Sequence, residues 1–356
     1  MLADIVVYPV DITRVPPAQL LHTSVDITIT GGRVVYERHL APYFMTRTIS
    51  RRLQADLALA LCSLIWGATF LVVKDALAFS SVFVFNALRF SLAAIVMAIV
   101  YWRALRKLPR ATLTAGALMG FFMFAGYAFQ TLGLKLTTPS KAGFITGAGV
   151  VMVPVLLAVF WKRPVNRWVW AGAIVALVGL YYLTVPRAGF ARLNVGDLLV
   201  LICALMFALY IIVVGRYSVR HSVPALSILQ VIMTALLTLA CLPLLAVTRW
   251  EPPRLLWSPT LVWAVLITAI GATALCFSMQ VWAQQYTTPT HTAILLSLEP
   301  VFAALTSVIV AHEHLGARIL LGGTLVLIGI LLAELKGPAP AAPDSPGPVS
   351  EGAALR

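Results

Sequence analysis

Two charged residues stand deep inside otherwise apolar stretches of this 356-residue chain: Arg89, nine residues into one run, and Glu299, seven residues into another. At 1.5 Å rise per helical residue, each would lie about 10 to 14 Å inside a ~30 Å hydrocarbon layer. An isolated charge there costs about 3 kcal/mol or more unless it faces water, a solute or a partner. Arg89 has the chemistry to attract a carboxylate or phosphate, and Glu299 to bind an amine or carry a coupling proton. The opposing readings are a structural ion pair between helices and, for Glu299, a capping or hinge role with the adjacent Pro300. Gln130 and Gln280, each seven residues before a Thr-Thr-Pro sequence, can present amides to a solute or hydrogen bond between helices. So can Gln230. Trp66, Tyr127, Phe207, Tyr210 and Trp282 can build a cage of rings for a planar or cationic solute, or serve as packing and interface anchors.

The elements that hold these residues follow from composition. Hydrophobic residues make up 60% of the chain, charged residues 11%, and the mean hydropathy is +0.93. Such a chain cannot coat itself with polar surface, which excludes a water-soluble globule. From residue 55 onward ten apolar runs alternate with short connectors: 57–73, 80–101, 111–134, 142–161, 168–185, 198–214, 223–247, 261–283, 292–311 and 319–333. The fold class expected is an all-α polytopic membrane protein, and the connectors leave no room for a folded domain outside the bilayer.

The 26 Lys and Arg residues against 13 Asp and Glu are scattered through short loops, so they read as topology signal and not as a nucleic-acid surface. With the segment before the first run inside, thirteen basic residues fall inside and eight outside, which favours cytoplasmic placement of both termini. Cys62, Cys203, Cys241 and Cys276 form no CxxC pair, and neither a disulfide framework nor a zinc centre is expected. His312-Glu313-His314 invites a metal reading, but helical residues two apart diverge by about 200°, and a solvated turn is expected instead. The sequence holds no Ser/His/Asp set and no phosphate-binding glycine loop, so neither an enzyme nor an ATP-driven pump is favoured, and no cofactor is expected.

An internal repeat organises the runs. At an offset of 141, Asp56, Cys62, Trp66, Gly67, Thr69 and Arg89 fall on Asp197, Cys203, Phe207, Ala208, Tyr210 and Gln230. After a longer seventh connector the offset becomes 150, and Gln130, Thr137, Thr138, Pro139, Gly172 and Gly179 fall on Gln280, Thr287, Thr288, Pro289, Gly322 and Gly329. A duplicated unit with an odd number of spans inserts upside down the second time, which predicts ten helices as two inverted five-helix repeats with a solute site between them. The Thr-Thr-Pro sequences read as mirrored helix starts. Lys141 and His291 then stand at equivalent places, either as gates or as interfacial anchors. Pro154 and Pro300, placed mid-helix, can permit bending or impose a static kink. The paired glycines allow close packing of helices five and ten.

On Leu64-Ile65-Trp66-Gly67-Ala68-Thr69-Phe70, Gln130-Thr131-Leu132-Gly133-Leu134 and Leu296-Ser297-Leu298-Glu299-Pro300-Val301-Phe302, the chain resembles the EamA-like family of the drug/metabolite transporter superfamily over residues 55–335. His312 and His314 depart from the Gly-Glu-Arg-Leu type turn common in that family. The resemblance implies a ten-helix carrier whose helices one to four and six to nine surround a cavity. It also implies a secondary transporter, an exporter by family analogy, of small amino-acid-like or drug-like solutes across the cytoplasmic membrane. Proton coupling through Glu299 is expected, and a homodimer is allowed. A membrane-embedded enzyme acting on lipid or isoprenoid is the alternative.

The organisation expected is an extension at 1–44, repeats at 45–185 and 186–335, and a disordered cytoplasmic tail at 336–356 rich in Pro and Ala. The extension is β-prone, with a hairpin signal at 29–36, and resembles the C-terminal end of metal-dependent amidohydrolases without their metal ligands. About 40 residues cannot easily build an independent core, so the working protein is expected to start at Met45.

Overall fold

The computed structural model describes residues 50–336 apart from 107, 135, 138, 186–193, 250 and 312–315, together with 5–8, 15, 23, 25–30 and 33–37. The His312–His314 turn and the tail from 337 therefore lie outside the described residues, as does the side chain of Lys141. The chain divides into two units, Met1–Ile49 and Ser50–Arg356. In the first, β1 (Ile5–Val7), β2 (Ile27–Thr30) and β3 (Arg33–Glu37) form an antiparallel sheet in that order. The expected hairpin is present: Thr30 pairs with Arg33 and Ile29 with Val34, with an irregularity between Thr28 and Ile29.

The second unit is helical. Its elements are α1 (Arg51–Ala76), α2 (Val82–Val100), the single turn α3 (Trp102–Leu105), α4 (Arg110–Leu134), α5 (Pro139–Gly147), α6 (Gly149–Phe160), α7 (Arg167–Thr184), α8 (Val195–Tyr217) and α9 (Val223–Thr248). Then come α10 (Pro259–Ile267), a π-helical segment (Thr268–Leu275), α11 (Cys276–Ala283), α12 (Pro289–Leu296), α13 (Glu299–Ala311) and α14 (Ala317–Lys336). Among the described residues eight helices are long and apolar enough to cross a membrane, the fourth being Ala142–Phe160 and the eighth Pro259–Ala283.

The ninth apolar run departs from the single helix expected. It is interrupted between α12 and α13, because Pro300 has no N–H for the carbonyl one turn earlier and the chain tightens at Ser297 and Leu298. Pro300 is therefore the second residue of α13 and not a mid-helix kink, whereas Pro154 does lie inside α6. The break between α5 and α6, at Ala148, falls where the offset of 150 places the break between α12 and α13.

Local chemistry ends the helices where the sequence signals them. Ser50 accepts from Leu53 N at 3.2 Å, Ser258 from Leu261 N at 3.1 Å with Pro259 following, and Thr288 from His291 N at 3.2 Å before Pro289. Asn194 and Asp197 form a reciprocal capping box at the start of α8. Inside the spans, where no water completes the hydrogen bonding of hydroxyls, Thr131, Thr234 and Thr268 donate to carbonyls four residues back at 2.7 to 2.9 Å. Large apolar side chains such as Ile99, Val159, Leu244 and Val247 remain exposed, a surface suited to lipid and not to water.

Two interfaces join the first half of the helical unit to the second. Along α7 and α14, a Cβ built on Gly172 would lie 2.5 Å from Gly329 O and one on Gly329 2.6 Å from Gly172 O. Gly179 and Gly322 stand in the same reciprocal relation at 2.7 Å each. The backbones touch directly, and only glycine permits it. At one end of the bundle the connector before α10 grips the connector before α2. Glu251 accepts from Val82 N and Phe83 N at 3.2 and 3.1 Å, capping a helix whose own N-cap, Ser81, makes no side-chain bond to that helix and accepts instead from Arg254 N at 3.3 Å. Ser81 N donates to Arg254 O at 2.9 Å, Leu256 N to Phe79 O at 2.7 Å, and Ser80 bridges to Leu255.

The glycine seam sets a measurable contrast. Gly322→Ala must push α14 off α7 and should lower stability by about 1 to 3 kcal/mol, while Gly323→Ala on the same helix, which meets only Val301 Cγ1 at 3.7 Å, should stay within about 0.5 kcal/mol of the parent or above it. Thermal unfolding of the detergent-solubilised protein reads the difference.

Candidate functional site

The candidate side chains converge through α1, α2, α4, α8, α9 and α11. Arg89, midway along α2, is 6% exposed. Its Nε–H donates to Thr273 Oγ1 at 2.6 Å on the π-helical segment, and its guanidinium lies 5.3 Å from the Phe90 ring centroid and 5.5 Å from that of Tyr127. A guanidinium in a dry bundle can be held by a hydroxyl and ring faces, the latter contributing about 2 kcal/mol each when desolvated. Among the described residues no carboxylate forms an ion pair with it. Glu299, the first residue of α13, lies within electrostatic reach of Arg89, and Tyr127 lies within reach of both. The ion-pair reading of Arg89 with Glu299 is thus not what the geometry contains. Glu299 does sit where a carboxylate favours a helix N-terminus. Gly67 lets α1 meet that point, since a Cβ there would lie 2.7 Å from Glu299 O.

Rings continue the site in two lines. Trp66 contacts Phe277 at 5.3 Å and donates its indole N–H to Ala272 O at 2.7 Å; Phe277 in turn meets Tyr210 at 6.0 Å. Tyr127 contacts Phe207 at 5.4 Å and Phe90 at 5.2 Å. By the sequence offsets Trp66 falls on Phe207 and Tyr127 on Phe277, so the two ring pairs, one tilted at 50° and one edge-on at 87°, occupy equivalent positions. Tyr210 donates to Gln230 Oε1 at 2.9 Å, and both are fully enclosed. Gln230 Nε2 and Gln280 Oε1 are buried with no hydrogen-bond partner among the described residues, whereas Gln130 is only half-buried.

Other candidates stand elsewhere. Trp282 packs on Tyr286 at 5.4 Å in a second apolar cluster, with Leu59 and Ile294, separate from the first, which holds Phe90 and Tyr127. His291 Nε2 lies 3.5 Å from Asp56 Oδ1, and Arg52 lies 4.0 Å from the other oxygen of the same carboxylate. Asp197, which falls on Asp56, accepts from Thr137 Oγ1. Asp197, in the first turn of α8, thus meets the Thr137 connector, and Asp56, in the second turn of α1, meets His291 two residues past Pro289. Pro154 is buried in α6.

Thr273, Phe277 and Phe90 were not singled out by the sequence reading. Phe277 was within reach of it: it is three residues before Gln280 on one helix face and falls on Tyr127 at the offset of 150. Thr273 had no such signal, because its partner position is Met123 and its contact depends on the π segment.

The sequence profile of the EamA-like transporter family matches residues 53–185 and 194–335. An "Uncharacterized transporter" of Archaeoglobus fulgidus is 36% identical over 286 residues, covering 80% of this chain and 87% of its own. "Uncharacterized transporter YoaV" of Bacillus subtilis is 22% identical over 280 residues, covering 76% and 93%. A crystal structure aligns with a TM-score of 0.68 at 20% identity, over 80% of this chain and 97% of that one, which shows a shared fold.

The buried Tyr210–Gln230 bond gives a direct check on how the centre is held. Tyr210→Phe strands the Gln230 acceptor and should cost about 1 to 3 kcal/mol, part of which Tyr210→Phe with Gln230→Leu should restore. Thermal unfolding of the three proteins side by side measures it.

Proposed function

Since the chain belongs to the EamA-like transporter family, we propose that it is a secondary carrier which exports a small amino-acid-like or drug-like solute across the cytoplasmic membrane by alternating access. In this reading residues 45–185 and 186–335 are two inverted repeats of five spans each, α12 with α13 forming the ninth span and α14 the tenth, with both termini cytoplasmic. Solute binds between the repeats at Arg89 and the rings of Trp66, Tyr127, Phe207 and Tyr210. Gln130, Gln230 and Gln280 supply amides, Glu299 the coupling proton, and the Asp56–His291 contact closes the inner mouth opposite Lys141. Trp282 lines the inner approach.

The observation that carries this reading is Arg89: a buried guanidinium in a membrane span, bonded to the neutral Thr273 hydroxyl and set against Tyr127, with no carboxylate in an ion pair with it among the described residues. Bundles do not keep such a charge for packing alone, and an anionic group on the solute would complete it. The inverted arrangement draws support from three pairs of equivalents: the ring pairs at 5.3 and 5.4 Å, the reciprocal glycines of α7 and α14, and the helix breaks at Ala148 and at Ser297 with Leu298. Interrupted spans facing one another are where carriers of this kind build their sites.

Untargeted profiling of metabolites in cells and medium tests the reading, comparing the protein with Arg89→Ala and Glu299→Gln at matched membrane abundance. A solute should accumulate outside only with the intact protein, Arg89→Ala should lower that flux at least tenfold, and Glu299→Gln should make it indifferent to an imposed pH gradient. A chemically altered lipid with no solute moved would contradict transport and favour the enzyme.

A further inference from the structure

Resting on the reading of Arg89 as the solute anchor, we propose that Thr273 is the residue that positions it. Thr273, through the π-helical segment that carries it, fixes the guanidinium by Nε so that its two-nitrogen end engages one carboxylate of the solute.

Three features of the molecule argue for this. Thr273 is fully buried, and its hydroxyl sits 2.6 Å from Arg89 Nε. A guanidinium held by Nε offers a carboxylate the parallel Nη pair alone, which selects one of the two forked geometries available to arginine. Second, the contact exists on one side only of a duplicated plan. The offsets place Gln230 where Arg89 stands and Met123 where Thr273 stands; Met123 is wholly buried among apolar side chains, and Gln230 bonds Tyr210 instead. The polar pair is therefore not something the fold needs in both halves. Third, the backbone departs from regularity at that same place. Residues 118–125, equivalent to Thr268–Leu275, run as unbroken α-helix within α4, while Thr268–Leu275 is π-helical. A π insertion weakens hydrogen-bond geometry and turns the following side chains by about 100° relative to continuous α-helix. It also leaves Ala272 O to accept the Trp66 indole at 2.7 Å. Two side chains of the first half, Trp66 and Arg89, thus close on adjacent residues of one irregular turn of the second. Movement of that turn would change the aim of Arg89 in step with the two halves.

The test uses the full chain in phospholipid vesicles, with phenylglyoxal as the guanidinium reagent and benzoate as the carboxylate probe. Adduct formation at Arg89 is followed by peptide mass spectrometry in the parent protein, Thr273→Val and Thr273→Ser, with the exposed Arg103 as internal control for folding. Benzoate should protect Arg89 in the parent. Thr273→Val should raise the benzoate concentration needed for half-protection about tenfold, and Thr273→Ser should return it to the parent value while adducts at Arg103 stay unchanged. Equal protection in parent and Thr273→Val would overturn the role of Thr273 and leave Arg89 as the anchor. Failure of benzoate to protect Arg89 in the parent would overturn the anchor itself, and with it the inference.

Discussion

A guanidinium inside a membrane bundle has to be held by something, and much of this fold can be derived from how that is done. A guanidinium carries its charge inside proteins, and hydrocarbon cannot solvate it. The chain surrounds it with Tyr127, Phe90 and the Thr273 hydroxyl, and brings Glu299 near without joining the two. Those partners come from α2, α4, the π segment and α13, so the charge is satisfied only when both halves of the sequence are assembled. The same rule governs the hydroxyls that bond their own helices and the capped helix starts: polar groups are paired within the protein because lipid offers no alternative.

Around that centre the molecule combines close backbone contact with looser polar contact. The α7 and α14 seam is glycine on glycine and leaves no room for adjustment. The Asp56–His291 contact at 3.5 Å and the helix breaks in the fourth and ninth apolar runs involve fewer atoms and can rearrange at lower cost. The connector bearing Glu251 is a third kind of contact, two backbone hydrogen bonds and two to the Glu251 carboxylate, between segments about 170 residues apart in sequence. Its length was visible in the sequence as the longer seventh connector, and its grip on the start of α2 was not.

Hydropathy and spacing made the spans legible because a bilayer imposes a length on every apolar run. The glycine pairs, too, could be read from residues alone as a close-packing seam, and Gly172 does meet Gly329 backbone to backbone. Single-residue depth made Arg89 and Glu299 stand out. What could not be read were contacts that depend on small departures from a regular helix. The π segment carries no composition signal, so Thr273 stayed hidden. Pro300 was expected to bend one helix, yet the chain stops and restarts just before it, making Glu299 a helix start. Trp282 looked equivalent to the other rings by type, but the α11 helix turns it toward Tyr286 and the second apolar cluster.

In the proposed alternating carrier the two halves move against each other, so the connector contact that joins them must open and close, and a cross-link there tests the proposal most directly. Ser80 and Leu255 oppose one another as an isolated antiparallel bridge, a spacing that suits a disulfide. With Ser80→Cys and Leu255→Cys introduced together, oxidation should stop flux of the profiled solute in vesicles, and reduction should restore it. Undiminished flux through the fully oxidised protein would contradict the account, since a carrier that works with that end clamped does not alternate there.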